Sequence, residues 1–556
     1  MYTVIFKTQD GIDYKVSANA GDNLLELAQA AGVPIDAPCS GNGTCGKCLA
    51  RIMAGAVDDI PNMHLSAEAR EDNWRLLCQS SVVADATLWV PAGAGSFKKG
   101  IQTADLSSPE ELARYNASIE AIFASGLARG CAQEGFGVAV DIGTTTVTAA
   151  LLDLATGQVV GKASSGNGQI RYGADVINRI IQQERPGGRE KLQRAVREET
   201  LLPIVDELCA QAGIAPDQVS RCVIAGNTTM EHLLVGEDAS TIRLEPFVPA
   251  FLELEGKTSA DIGLGFAPDA PVIFAPNVGS YVGGDITAGV LDTMLWTSEQ
   301  MTLFIDLGTN GELVFGNADF MLTCACSAGP AFEGGDITWG MRATNGAISA
   351  ATIDADTMEP TFTVIGGGAP VGMCGSGIID IVAELFRCGI IDPRGKFARE
   401  GARVLYDESN VGRYVLATRE ESANGSEIFI DETDIDNFIR AKGAIFSAIR
   451  TMLKSLDMPV EGIERVMIAG GIGSGINMAN ARAIGMLPNL PAEAFSYIGN
   501  SSLVGACAML VSDEAAQKVM ELGRNMTYLE LSVEPGYMDE FMAACFIPHT
   551  DATLFE

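Results

Sequence analysis

Apolar residues at every second position, Tyr2, Val4 and Phe6, open the chain and predict a half-buried strand. A turn at Asp10-Gly11, a second strand near Tyr14 and Val16, and an apolar-periodic helix over 23–31 follow. After Pro91 the pattern gives way to Ala-Gly-Ala-Gly-Ser-Phe-Lys-Lys-Gly, the composition of an inter-domain exit. Ser108-Pro109-Glu110-Glu111 then reads as an N-cap, a proline at the first helical position and a capping-box glutamate. A helical linker is expected from there to about Gly130.

From residue 136 the pattern repeats itself. Val138-Ala-Val-Asp-Ile-Gly-Thr-Thr-Thr146 and Leu303-Phe-Ile-Asp-Leu-Gly-Thr-Asn-Gly311 are both apolar strands that break at Asp-x-Gly-Thr and continue into another apolar strand. Each predicts a β-hairpin whose tip offers backbone N–H groups and hydroxyls to phosphate oxygens, with an aspartate able to hold Mg²⁺. A second pair of echoes, Val223-Ile-Ala-Gly-Asn and Val466-Met-Ile-Ala-Gly-Gly-Ile-Gly-Ser474, predicts buried strands that end in Ala-Gly before a helix.

Length and composition narrow the classes. At 556 residues the chain exceeds what one core supports, and 47% apolar with 19% charged residues is globular α/β composition. The formal charge of −34 repels phosphate backbones and anionic membrane surfaces, so neither a nucleic-acid nor a membrane partner is expected, while a partner with a basic docking patch is compatible. The first residues lack a basic stretch followed by a long apolar run, and no uncharged apolar stretch reaches ~18 residues. The expectation is a cytoplasmic protein whose thirteen cysteines are thiols or metal ligands, not a disulfide framework.

Cys39, Cys45 and Cys48 form C-x5-C-x2-C, and Cys78 follows within Arg75-Leu-Leu-Cys-Gln79. Four thiolates close one iron–sulfur cluster, and the glycines of C-S-G-N-G-T-C-G-K-C let the backbone wrap closely around inorganic sulfur. Zinc would more naturally use two short C-x2–4-C pairs. Cys324-Ala-Cys326 has no nearby histidine or third cysteine and reads as buried strand side chains; His64, His232 and His549 are isolated.

The strand–turn–strand–helix order with this cysteine spacing resembles the β-grasp ferredoxins, in particular those vertebrate- and bacterial-type members that carry a [2Fe-2S] cluster on C-x5-C-x2-C. The duplicated hairpins resemble the acetate-kinase, sugar-kinase, Hsp70 and actin (ASKHA) superfamily, in which ATP lies in a cleft between two RNase-H-like halves. In that resemblance the phosphate loops are 141–146 and 306–312, the adenosine loop is 469–475, and the connecting helices are 279–291 and 500–510. With I-A-G-N-T-T-M-E-H-L-L (224–234), C-S-A-G-P-A-F-E-G (326–334) and G-M-C-G-S-G-I-I-D (372–380), the whole chain resembles the ATP-dependent reductive activators of corrinoid proteins.

The fold this implies is multidomain α/β: a β-grasp [2Fe-2S] ferredoxin domain (1–94), a helical linker (95–133), a middle domain with the first phosphate loop (134–215) and a C-terminal ASKHA ATPase domain (216–556). The resemblance makes Cys39, Cys45, Cys48 and Cys78 the cluster ligands, and Asp141 and Asp306 the carboxylates that position Mg²⁺ and water. It gives Gly143, Thr144, Thr145, Gly308, Thr309, Asn310 and Gly311 to the phosphates, and Gly470, Gly471 and Gly473 to close approach of the nucleotide. Asp285 is a candidate for aligning the attacking water, or else a helix-start carboxylate. Ser376 is a candidate for presenting a hydroxyl to the nucleotide or to a partner's cofactor, or else a helix N-cap.

The implied activity is reduction of a corrinoid protein of a methyltransferase system from Co(II) to Co(I), fed by a low-potential donor (a ferredoxin, flavodoxin or reductase). Plant-type [2Fe-2S] centres sit near ~−400 mV, so the step is expected to be uphill and ATP to supply the difference through differential affinity. The alternatives are an ATP-gated donor for another low-potential reductase or dehydratase, a ferredoxin-fused small-molecule kinase, and a redox sensor that clamps a partner without turnover.

Overall fold

Alternation of inward and outward side chains builds the first sheet. Strands β1 (Tyr2–Thr8), β2 (Asp13–Ala18), β3 (Leu49–Asp59), β4 (Trp74–Leu76) and β5 (Ser80–Val90) lie in the order β2-β1-β5-β3-β4. β1 runs parallel to β5, and the other pairings are antiparallel. Val4, Phe6, Leu76 and Leu88 face a core closed by Leu24, Leu25 and Ala28 of the helix Leu24–Ala30. Each large apolar side chain buried there contributes about 1.5–3 kcal/mol. Asn23 caps the helix by accepting from the backbone N–H groups of Leu25 and Glu26, and its amide donates to Cys78 O at 3.0 Å. This is the expected ferredoxin module.

The computed structural model describes the chain except residues 10, 36, 38–40, 42, 44, 45, 63, 64, 66, 92–100, 102–105, 409, 472–474 and 556. The contacts divide it into two units, Met1–Asn116 with Ala132–Ile273, and Ala117–Cys131 with Phe274–Glu556.

In the linker, a helix spans Pro109–Ala124 and Ser108 Oγ accepts from Glu111 N at 3.3 Å, as the capping pattern predicts. The Glu111 carboxylate is not free to complete a capping box: it binds Lys162 Nζ at 2.6 Å and Arg114.

The first unit's second sheet contains β6 (Phe136–Ile142), β7 (Thr146–Asp153), β8 (Gln158–Gly166), β9 (Val219–Gly226), β10 (Lys257–Thr258) and β11 (Pro271–Phe274), in the order β10-β11-β9-β6-β7-β8. The expected start of a separate C-terminal domain at 216 therefore divides a sheet. β9 is hydrogen-bonded in parallel to β6 and cannot leave it without exposing both strands' backbone groups.

The second unit repeats the plan. β12 (Thr302–Leu307), β13 (Gly311–Gly316) and β14 (Met321–Cys326) form an antiparallel meander, extended by β15 (Arg465–Ala469), β16 (Phe495–Gly499) and β17 (Thr527–Tyr528) in the order β16-β15-β12-β13-β14-β17. In both sheets the hairpin's first strand is flanked by a parallel strand ending in Ala-Gly. Asp141 is level with Ala225, and Asp306 is level with Ala469. The duplication seen in the sequence is thus one of strand order and register.

The two expected connecting helices are Gly284–Thr293 and Ser501–Val511. They cross closely because a Cβ on Gly505 would lie 1.9 Å from Ala288 O, and one on Gly289 would lie 2.9 Å from Ser501 Oγ. Glycine at these two crossings lets the backbones approach.

Candidate functional site

In the ferredoxin module Cys48 and Cys78 are buried, and Leu77 N donates to Cys48 O at 2.9 Å, which draws the two segments together. Gln79 Nε2 reaches Cys78 Sγ at 3.7 Å. Gly41, Gly43 and Gly46 all have left-handed φ, between 66° and 80°. A Cβ on Gly43 would strike the side chains of Gln79 and Asn62 at 2.8 and 2.9 Å. The loop therefore wraps as tightly as the glycine pattern predicts, and two buried thiols at its foot fit a thiolate-ligated cluster. Cys39 and Cys45 lie outside the described residues.

The first hairpin tip turns through Gly143, whose N–H donates to Thr146 O at 3.0 Å and whose Cβ would lie 2.7 Å from the same oxygen. Three successive carbonyls of this loop are turned toward the protein. Gly143 O accepts from Asn167 Nδ2 at 2.9 Å, Thr144 O from Arg179 Nη2, and Thr145 O from Asn167 N at 2.8 Å. A peptide's N–H points opposite to its C=O, so anchoring the carbonyls orients the loop's N–H edge outward, as an anion requires. Arg179 is fully buried and also donates to Gly173 O at 2.9 Å. Neither Asn167 nor Arg179 carried a sequence signal, since their partners lie 24 and 35 residues away.

The second tip closes with Gly308 N donating to Asn310 O at 3.0 Å. Asp306 stands directly opposite Glu312 in the β12–β13 register, and Thr309 Oγ1 donates to Glu333 Oε2 at 3.1 Å. Neither glutamate was singled out in the sequence, although Glu312 closes the expected loop 306–312 and Glu333 lies inside the C-S-A-G-P-A-F-E-G motif. A Cβ on Gly311 would come within 2.8 Å of Cys326 Sγ, so the loop rests on that thiol. Burial raises the Cys326 and Cys324 thiols well above the ordinary range, which keeps both protonated packing groups as expected.

Gly470 belongs to the same corner. Its N–H donates to Gly499 O at 3.1 Å, its carbonyl accepts from Tyr497 Oη at 3.1 Å, and a Cβ there would lie 2.7 Å from Asp306 Oδ1. A Cβ on Gly471 would meet nothing within 4 Å, which leaves room beside it. Gly473 lies outside the described residues. At the far end of this loop a Cβ on Gly475 would lie 3.1 Å from Ser376 Oγ. Ser376 is the second residue of the helix Gly375–Arg387, whose N-cap is Cys374, and its hydroxyl donates to Ser349 O at 2.8 Å. It is not the N-cap; it sits against the glycine loop instead.

Asp285 lies in the first turn of Gly284–Thr293, where its Oδ1 accepts from Ile286 N at 2.9 Å. Among the described residues no group of three or more His, Cys, Asp or Glu is gathered to hold a further metal ion. No described helix is long and apolar enough to cross a membrane.

These features define an iron–sulfur electron carrier fused to a duplicated ASKHA nucleotide-binding fold. Three family models match in succession: a 2Fe-2S iron–sulfur cluster binding domain over 7–83, the RACo middle region over 136–298, and the C-terminal domain of RACo, the ASKHA domain, over 300–556. The corrinoid activation enzyme RamQ of Eubacterium limosum is 35% identical over 416 residues, covering 73% of this chain and 69% of that protein. A Methanosarcina barkeri reductase of a Co(II) methylated amine-specific corrinoid protein is 23% identical over 421 residues, covering 70% of this chain and 73% of that protein. The solved structure of a reductive activator for corrinoid, iron–sulfur protein matches with a TM-score of 0.70 and 38% identity over 100% of both chains. The chain belongs to this RACo family of corrinoid activators.

Proposed function

We propose that this protein reductively activates a corrinoid protein of a methyltransferase system, returning Co(II) to Co(I) at the expense of ATP. The observation that carries the reading is the joining, in one chain, of a cluster-binding ferredoxin module to two hairpins that present Asp-x-Gly-Thr tips in the same register.

The cluster supplies a one-electron carrier of low potential. Cys39, Cys45, Cys48 and Cys78 hold it, and a ferredoxin, flavodoxin or reductase charges it. Asp141 and Asp306 position Mg²⁺ and the attacking water, with Asp285 as a further aligning carboxylate. The tips around Gly143, Thr144, Thr145, Gly308, Thr309, Asn310 and Gly311 take the phosphates, and Gly470, Gly471 and Gly473 admit the nucleoside. Ser376 faces this loop and presents its hydroxyl there.

ATP acts by changing which state of the partner is held, since a ligand moves an equilibrium only through its differential affinity. The reaction takes place in the cytoplasm. Comparing ATP hydrolysis with the corrinoid partner held as Co(II) or in its methylated form tests this gating. Faster hydrolysis with Co(II) supports it, and equal rates oppose it.

A further inference from the structure

Arg185 stands on the tight turn between the helices Val176–Gln183 and Gly188–Val196. Its carbonyl accepts from Gly188 N at 2.8 Å, and a Cβ on Gly188 would lie only 1.9 Å from Gln182 O, so the turn cannot open to admit a side chain there. The arginine's backbone is thereby fixed beside the ferredoxin module of the same unit.

The side chain reaches the cluster loop. A Cβ built on Gly41 would lie 3.7 Å from Cys78 Cβ and 4.0 Å from Arg185 Nη1, so a thiol-bearing residue and a guanidinium share one face of that glycine. A second contact holds the same approach: Gln29 Nε2, on the ferredoxin helix, donates to Arg171 O at 3.1 Å. The guanidinium hydrogen-bonds the neutral amide of Gln182, Oε1 at 3.3 Å. Among the described residues no carboxylate pairs with it, and the adjacent Glu184 is held by Arg243 at 2.9 Å. Arg185 therefore brings to the loop that carries the cluster a positive charge that no described carboxylate pairs.

A cluster ligated by four thiolates is anionic, and one more electron makes it more so. A nearby cation favours the reduced form and raises the potential, and charge and solvent exposure are the levers that set it. We propose that Arg185 is an electrostatic positioning residue for the transferred electron, an inference that rests on the ligand set proposed above. While the module lies against the middle region, Arg185 stabilises the reduced cluster and retains its electron. When the module leaves Arg185, the same electron becomes a stronger reductant. The transfer then takes one electron from the cluster to cobalt, oxidising the first and reducing the second, with no bond made or broken in this chain.

The test is an anaerobic spectroelectrochemical titration of the full-length reconstituted protein, which reads the midpoint potential without ATP or a corrinoid partner. R185Q is expected to lower the potential and R185K to stay near wild type. Gln29→Ala, which loosens the module from the middle region, is expected to lower it by a smaller amount. An unchanged potential in both R185Q and Gln29→Ala overturns the proposal, as does an equal shift in R185Q and R185K, which would make the effect one of packing and not of charge. A shifted potential in a protein that activates no corrinoid partner leaves this inference standing and removes the proposed function; a wild-type chain that assembles no cluster removes the ligand set.

Discussion

Gly470 and Asp306 stand face to face: a Cβ on Gly470 would come 2.7 Å from Asp306 Oδ1 and 2.2 Å from Leu307 O, and Gly470 has φ of 94°. Both facts demand glycine, one for space and one for conformation. Gly470→Ala is expected to push the two strand ends apart, cost on the order of 2 kcal/mol, and lower ATP hydrolysis at least about tenfold. The visible iron–sulfur spectrum should be retained, and parallel hydrolysis and absorption measurements check both.

Asp306→Ala removes the carboxylate beside that glycine. Hydrolysis should fall by about 10²-fold or more, the scale of losing one preorganised electrostatic contact to a transition state, with the cluster spectrum intact. Asp141→Ala, the register equivalent in the other sheet, should do the same. An Asp141→Ala protein that hydrolyses ATP at the normal rate would remove the first hairpin from the nucleotide site.

Cys45→Ala and Cys48→Ala should each abolish the cluster absorption and leave nucleotide binding unchanged. Calorimetric titration with ATP on the apo protein is the check, and loss of both properties in a folded protein would contradict the separation of the two modules.

The placement of Asp141 and Asp306 near the tips of two hairpins was legible because Asp-x-Gly-Thr recurs at the end of an apolar strand, a local signal present twice. The three left-handed glycines of the cluster loop were legible for the same reason. The contacts of Asn167, Arg179 and Glu333 were not, because each acts on a loop at least 22 residues away, and a lone polar residue does not announce its distant partner. The boundary placed at 216 failed for a related reason: the sheet recruits β9 from beyond it to stand between β11 and β6, and strand order is a long-range property. Ser376, a possible N-cap from the sequence, lies two positions past the cap, which Cys374 takes.

The pH dependence of stability has one well-placed contributor. Glu540, on the helix Tyr537–Ala544, is buried, which alone would raise its pKa. Contacts from His549 at 3.4 Å and from Lys454, with Arg450 at 3.3 Å, outweigh that cost and hold it at about 2, below the ordinary 4.5. A carboxylate with a depressed folded pKa stabilises the protein fully above its unfolded pKa and loses that contribution as pH falls through the folded one. Glu540→Gln should therefore cost about 3 kcal/mol at pH 7, and the gap from wild type should close as pH drops from 4.5 toward 2. Urea unfolding of both proteins across that range is the measurement.

The most direct test of the account is anaerobic. The reconstituted protein is mixed with a chemical reductant and a Co(II) corrinoid protein, with and without Mg-ATP, and the Co(I) absorption band is followed. The account predicts that Co(I) forms only when Mg-ATP is present, and that Cys48→Ala abolishes it. Co(I) appearing equally without ATP, or failing to appear with several corrinoid proteins despite an intact cluster and active hydrolysis, would contradict it.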